Sequence, residues 1–463
     1  MKLFYHLFPV FLFVATIYSK GYAQTNPIIT SWLQNTTKTG SYYVSGNSTA
    51  ISNGILVNCQ QVRYSTNWVY INATGIPSYP VGPFNGDGNP GQAGDQKVIY
   101  KLPLNPVENK GTKTSLGFNT MAIFINGISM FDYRDGVAWN TSTNSFCGGP
   151  GRTACPGGPN TTQAWNRDAI VYERLGFDCS KGHPAGNNYH VHQNPSAFKL
   201  DLKVISTICN LYASDGLYTI DPTKHSPLIG YAIDGFPIYG AYGYANADGT
   251  GGIKRIKSGY QLRNITVRTH HANGTDVSDG PPVSTTYPLG SFAEDYEWVS
   301  RPTDPSYLDI HNGRFCVTPE YPKGIYCYFT TVDANHNSAF PYVIGPSFYG
   351  VKSGSTVNSV TETTTTYTKT TTAISENELK KLSIEVFPNP SQDLIAIQVN
   401  GLVPSDLEVT LLDANGRKIY QTEISKGQTI AYFDIQTLYA GIYYVTIASN
   451  GAIETRKVMI TKQ

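Results

Sequence analysis

The sequence predicts a mainly β protein: a large loop-rich β domain, then a Thr-rich linker, then a small antiparallel β-sandwich. Three observations carry this expectation. Segments such as KVIYKLPL, MAIFINGI and AIVYERLGF read as strands between Gly/Pro/Asn turns, and no long stretch shows helical periodicity. After Gly354 the composition changes abruptly to STVNSVTETTTTYTKTTTAISENE, a polar tract too poor in apolar residues to bury a core. Beyond it, DLIAIQV, LEVTLLD, TIAYFDI and YYVTIAS alternate with strand period between the turns NPS, ANGR and SKGQ. Charged residues make up only 14% of the chain, against 33 Tyr and 44 Gly. That is the balance of a folded, strand- and loop-rich extracellular protein.

Taken in order, residues 1–23 carry Lys2, an apolar run from Leu7 to Ile17 and small residues at Gly21 and Ala23. They read as a secretory signal peptide, too short for a spanning helix. The expected domains are then 25–352, the linker 353–381 and the sandwich 382–463. A formal net charge of +1 with no basic run leaves no field to draw in DNA or an anionic membrane, so no nucleic-acid partner and no transmembrane segment are expected. In an oxidising compartment some of the seven cysteines should pair. Cys147 with Cys155, and Cys316 with Cys327, close short loops and are the preferred bridges; Cys179 is left as either a bridge or a metal ligand.

The chemistry concentrates in HPAGNNYHVHQNP, where His183, His190 and His192 fall within ten residues. In an extended segment H-x-H presents both rings on one face, and Pro184-Ala185-Gly186 can fold His183 back towards them. Neutral imidazole is the usual protein ligand for zinc and copper, so these three residues form a candidate metal site. In DIHNGR, Asp309 and His311 offer a further carboxylate and imidazole on one face. Asp234, in YAIDGFPIYG, is either a group beside the histidines or a turn-former. Tyr189 and Arg314 are candidates to stand behind the ligands, Arg314 by holding a substrate carboxylate or by pairing with Asp309. The competing reading makes all these residues scaffold. H-E-x-x-H, G-x-S-x-G and phosphate-loop motifs are missing, and paired glycosidase carboxylates cannot be read from sequence.

Two resemblances follow from longer motifs. FDCSKGHPAGNNYHVHQNPSAF, SPLIGYAIDGFPIYGAYGYANADGTGGI, LDIHNGRFCVTPEYPKGIYCYF and FPYVIGP resemble the YHYH domain family of exported proteins over about residues 168–350. The tetrapeptide is matched by Tyr189-His190-Val191-His192; Val191 departs from it and both histidines survive. This resemblance names a module and no reaction. VFPNPSQDLIAIQV, VTLLDANGRKIYQTEI, FDIQTLYAGIYYVTI and KVMITKQ look like the C-terminal sorting domain of the type IX secretion system. That implies a Bacteroidetes-type export route, the secretion machinery as partner, and a secreted or cell-surface protein. The expected function is an exported metal-binding protein, for copper or zinc. The alternatives are a hydrolytic or oxidative metalloenzyme at the same site, or an adhesin that binds extracellular polysaccharide and uses its histidines structurally.

Overall fold

A computed structural model describes residues 26–84, 92–118, 120–158, 163–197, 200–201, 207–212, 216–368, 382–400, 403, 406–425, 427–449 and 452–462. The signal peptide expected at 1–23 lies outside the described residues. The chain divides into two units, 1–368 and 369–463. Strands make up 41% and helices 4%, so the mainly β expectation holds. Among the described residues the α-helices are Pro27–Thr30 and Ala169–Tyr172, of four residues each.

The larger unit is built on an eight-stranded mixed sheet. Its order is Gly182–Ala185, Asn188–Val191, Ser129–Met130, Ala122–Phe124, Leu228–Ala232, Pro237–Tyr239, Ile325–Phe329 and Gly313–Cys316. Two pairings are parallel, His190 with Ser129 and Ile238 with Tyr328; the rest are antiparallel. The central strands are buried on both faces: Leu228–Ala232 and Pro237–Tyr239 have no exposed residue. That explains why IGYAIDGFPIYG reads as continuous apolar sequence without alternation. The histidine segment forms one edge of this sheet, and DIHNG leads into the strand at the other.

A second sheet begins as the meander Cys59–Tyr64, Trp68–Ala73 and Val98–Pro103. Residues expected to be linker complete it. Ser355–Val357 pairs with Val98–Pro103, and Thr365–Tyr367 pairs with Cys59–Tyr64. The meander leaves two open edges, and β-branched Thr suits an extended edge. Tyr367 packs against the core, and the Tyr70 hydroxyl donates to Glu362. The part of the linker at 369–381 lies outside the described residues.

In the second unit, Ser383–Phe387, Leu394–Asn400 and Ile430–Asp434 form one sheet. Lys418–Ile424, Leu407–Leu412, Gly441–Ser449 and Ala452–Ile460 form the other. Ile395, Ile397 and Val399 from the first sheet share one core with Val409, Leu411, Val445 and Ile447 from the second. This is an antiparallel β-sandwich, formed as its alternation predicts.

The cysteines divide differently from expectation. Cys147–Cys155 is bonded, and Cys179 bonds Cys209, so Cys179 is a bridge and no ligand. Cys316 and Cys327 are free and buried, as is Cys59. Across the hairpin Cys316 faces Ile325 and Cys327 faces Arg314. The two cysteines are thus diagonal neighbours, their thiols in contact but not bonded.

Truncation distinguishes the two parts of the Thr-rich tract. A chain ending at Thr368 should keep the melting midpoint of the large domain, whereas one ending at Lys352 bares both sheet edges. Loss of about 2 kcal/mol would lower that midpoint by roughly 3 °C, since the melting entropy grows with the length of a domain. Equal midpoints in calorimetry of the two truncated chains would show that the edge strands contribute nothing.

Candidate metal centre

The site starts from a hairpin. His183 faces His190 directly across the pair Gly182–Ala185 and Asn188–Val191, with Gly186-Asn187 as a two-residue turn. Gly186 has φ +62°, the left-handed backbone that such a turn requires. His192 follows two residues after His190 on the same face. The turn therefore sits one residue later than Pro184-Ala185-Gly186 suggests, and it does fold His183 back.

The three rings converge through Nε2. His190 Nε2 lies 3.1 Å from His192 Nε2, and His183 Nε2 lies 3.3 Å from it. One ligand nitrogen from each ring falls within 4.8 Å of the other two, so the cluster could hold a metal ion. All three residues are buried, at 2–4% exposure. Phe131 stacks on His190 at 4.1 Å, and Phe177 meets His183 edge-on at 4.9 Å.

Two rings have their tautomers set from behind. His190 Nδ1 lies 3.0 Å from the Asn188 carbonyl and His192 Nδ1 2.5 Å from the Asp132 carbonyl. A carbonyl oxygen only accepts, so both Nδ1 atoms carry hydrogen and donate. In the neutral rings both Nε2 atoms are then bare lone pairs. Two lone pairs 3.1 Å apart need a proton or a cation between them. Holding a ring through Nδ1–H while Nε2 points at a common centre is the habit of metal-bound histidine.

Sequence reasoning missed Glu173. Its Oε2 lies 3.2 Å from His192 Nε2 and 3.4 Å from His183 Nε2, on the solvent side of the cluster. The stretch AIVYERLGF reads as a strand because Ile and Val favour one. Instead Asp168 caps a one-turn helix, its Oδ1 accepting from Ile170 N at 2.8 Å, and Glu173 is the C-cap. Asp immediately before a short apolar run was the available signal. Burial pulls His192 down, but the hydrogen bond and charge of Glu173 outweigh it and hold His192 above its ordinary value. Burial and the two neighbouring rings hold His190 well below.

The other expected residues lie elsewhere. Tyr189 points to the opposite face of the hairpin and donates to Asp178 Oδ1 and Oδ2 at 3.1 and 3.0 Å. Asp178 also accepts from the backbone N–H groups of Gly82, Ser180 and Gly182, and burial pushes it up to about 6. A Cβ on Gly182 would collide with the Tyr189 ring, so glycine there lets the clamp close. Asp309 and His311 belong to the far edge of the sheet: Asp309 accepts from His311 N, Gly313 N and Tyr326 OH, and His311 Nδ1 donates to the Ser347 carbonyl at 3.0 Å. Neither joins the cluster. Asp234 closes the turn between two central strands, accepting from Tyr328 OH and Gly350 N. Arg314 donates to the Tyr244 and Pro305 carbonyls and does not pair with Asp309. Spacing brought the wrong residues together because DIHNG and the histidine hairpin are edges of one sheet with five strands between them.

With this geometry in place, the comparisons are specific. The model of the YHYH protein family matches residues 99–341, just over half of the chain. The chain belongs to the YHYH protein family. The match begins at the strand Val98–Pro103, well before the start suggested by the motifs at 168, and it contains the histidine hairpin, Glu173 and the whole eight-stranded sheet. Residues 385–461 match the secretion system C-terminal sorting domain. This YHYH protein is therefore an export substrate of the type IX machinery, secreted or carried to the cell surface. No helix among the described residues is long and apolar enough to cross a membrane. No curated protein matches. Among solved structures, the crystal structure of an engineered protein is similar over 18% of this chain and 20% of its own, at 6% identity and a TM-score of 0.15, too slight a likeness to carry an argument.

The Tyr189 clamp predicts a separation of roles. Tyr189→Phe keeps every ring of the cluster but takes the phenolic donor from Asp178. It should destabilise the large domain by about 1–2 kcal/mol, measured by denaturant unfolding. The disulfide Cys179–Cys209, closing 30 residues, contributes about 3.5 kcal/mol in the chain-entropy picture. Non-reducing peptide mapping should therefore find it, together with Cys147–Cys155 and three free thiols. A Tyr189→Phe protein as stable as the parent would remove the clamp from the account of the site.

Proposed function

We propose that this protein is an exported metal-binding protein that holds one divalent transition-metal ion through Nε2 of His183, His190 and His192, with the Glu173 carboxylate as the fourth donor. The observation that carries the reading is the pair of bare Nε2 atoms at 3.1 Å, each held from behind by an Nδ1–H···O=C bond. Four donors with bonds of about 2.0–2.1 Å to one tetrahedral ion stand roughly 3.3–3.4 Å apart. Four of the six edges here run from 3.1 to 3.4 Å, and the three ring nitrogens lie within 4.8 Å of one another. Imidazole with one carboxylate suits zinc and copper alike. Three imidazoles exclude a calcium or magnesium preference, since those ions want oxygen. Four protein donors also leave no open position for a water, which favours holding the ion over hydrolytic chemistry.

Elemental analysis of the purified full chain should find about one zinc or copper per molecule. The double variant His190→Ala, His192→Ala should lose it, and unchanged metal content would overturn the reading. Glu173→Gln keeps the shape and removes the charge, and should weaken binding by roughly 10–100-fold.

The pH dependence has a sign. The ion must displace the proton that Glu173 stabilises on His192, whose value is raised. Affinity should therefore begin to fall at a pH above the ordinary imidazole value of about 6.5. His190, held low, stays neutral through that range, so binding should release close to one proton near neutrality. Glu173→Gln should move the fall to lower pH. Calorimetry in buffers of different ionisation enthalpy reads the proton count directly; zero protons released at pH 7 would contradict the raised value of His192.

A further inference from the structure

A cavity of about 810 Å³ opens in the large domain, and none of the cluster histidines lines it. Its wall is an antiparallel ribbon, Tyr260–Leu262 with Tyr296–Trp298, in which Tyr260 faces Trp298. Period two places Tyr260, Tyr296 and Trp298 on one face. Phe340 lies flat on Tyr296, at 4.2 Å and 4° between planes, and Tyr260 meets Phe340 edge-on at 5.4 Å. These four rings line the cavity, and the three on the ribbon are half-buried. They form a continuous aromatic surface.

Beside the rings stand polar groups already held in place. Arg134 spends Nε and Nη2 on Asp132 and the Leu116 carbonyl; Nη1 makes no hydrogen bond among the described residues. Glu294 is fixed by Asn166, whose backbone N and Nδ2 donate to its two oxygens at 2.7 and 2.8 Å. Glu297 Oε1 accepts from Gln261 Nε2 at 3.0 Å. Each carboxylate oxygen has a second lone pair to offer. The cavity therefore combines flat apolar faces with a fixed donor and two fixed acceptors.

Few ligand classes satisfy both halves. A purely apolar ligand would strip water from the carboxylates and the guanidinium without replacing it, at a cost that area burial would not recover. A proline-rich peptide suits an aromatic groove, but proline has no N–H, so two carboxylates would face few donors. An anionic ligand would meet two carboxylates against one guanidinium already shared with Asp132. A neutral pyranose has a C–H face for the rings and a rim of hydroxyls that both donate and accept. The cavity volume falls in the range of roughly 300–1,000 Å³ usual for small-ligand clefts, enough for a short run of sugar rings. We propose that this cleft binds a short stretch of neutral polysaccharide, at a site separate from the histidine cluster.

The test uses the full chain and a panel of neutral hexasaccharides: cellohexaose, xylohexaose, laminarihexaose, mannohexaose and chitohexaose. At least one should bind with a sub-millimolar Kd in calorimetry and shift the tryptophan fluorescence. Trp298→Ala should weaken that binding tenfold or more. Because Trp298 packs against Gly259 and donates to the Leu308 carbonyl, its removal can disturb the fold, which circular dichroism would report. Glu297→Gln, a change at a half-buried position, then decides: binding should weaken several-fold at an unchanged melting midpoint. Metal content should stay the same in both variants, so failure here is distinct from failure of the metal reading. Absence of binding across the panel, equal binding by folded Trp298→Ala and Glu297→Gln, or stronger binding of a polyproline peptide at the same site would overturn the proposal.

Discussion

The interaction on which the large domain depends is a buried aspartate that gathers backbone N–H groups and is closed by a tyrosine hydroxyl. It occurs at Asp178 with Tyr189, Asp168 with Tyr342 and Asp234 with Tyr328, and in half-buried form at Asp309 with Tyr326. A fold with so little regular structure leaves loop amides that no ladder or helix satisfies, and a buried amide without a partner is costly. One carboxylate can take several of them. Burial drives the carboxyl value upward, to about 7 for Asp168 and about 6 for Asp178 and Asp234, while every hydrogen bond to the ionised form pulls it back. The abundance of tyrosine thus has a structural use: a large apolar ring for the core with a donor at its tip.

Two of these clamps support the histidine cluster. Asp178 and Tyr189 fix the loop that enters the histidine hairpin, and the Cys179–Cys209 bond starts one residue later. Asp168 and Tyr342 fix the N-terminus of the one-turn helix that ends in Glu173. The rings themselves are walled by Phe131 and Phe177, so the cluster has a rigid apolar shell and one acidic opening. Such a shell keeps the three rings converged, at the expense of setting lone pairs against one another. Strained polar groups of this kind persist where a ligand relieves them.

Asp132 joins this centre to the aromatic cleft. Its carbonyl receives the His192 Nδ1–H, and its carboxylate holds Arg134, which lines the cleft. The Thr-rich tract takes part in the same architecture, since its first half covers both edges of the sheet that begins with Cys59–Tyr64. A composition suited to a linker is also suited to an edge strand, because β-branched, uncharged residues extend readily. Only the presence of an open edge separates the two outcomes.

What was legible in the sequence is what local chemistry dictates. Alternation specified the sandwich, β-strand propensity specified the fold class, and three histidines at hairpin spacing specified which rings could meet, because period two and a tight turn act within a dozen residues. The Cys147–Cys155 bond is equally local. Tertiary structure decided everything that depended on distant partners. Glu173 reaches the cluster only because Asp168 caps a helix in a segment whose composition favours a strand. Asp309 and His311 stay away because the sheet order puts six strands between its edges. Cys316 and Cys327 meet as diagonal and not opposite residues of their hairpin, and register is set by a sheet that no short window of sequence contains.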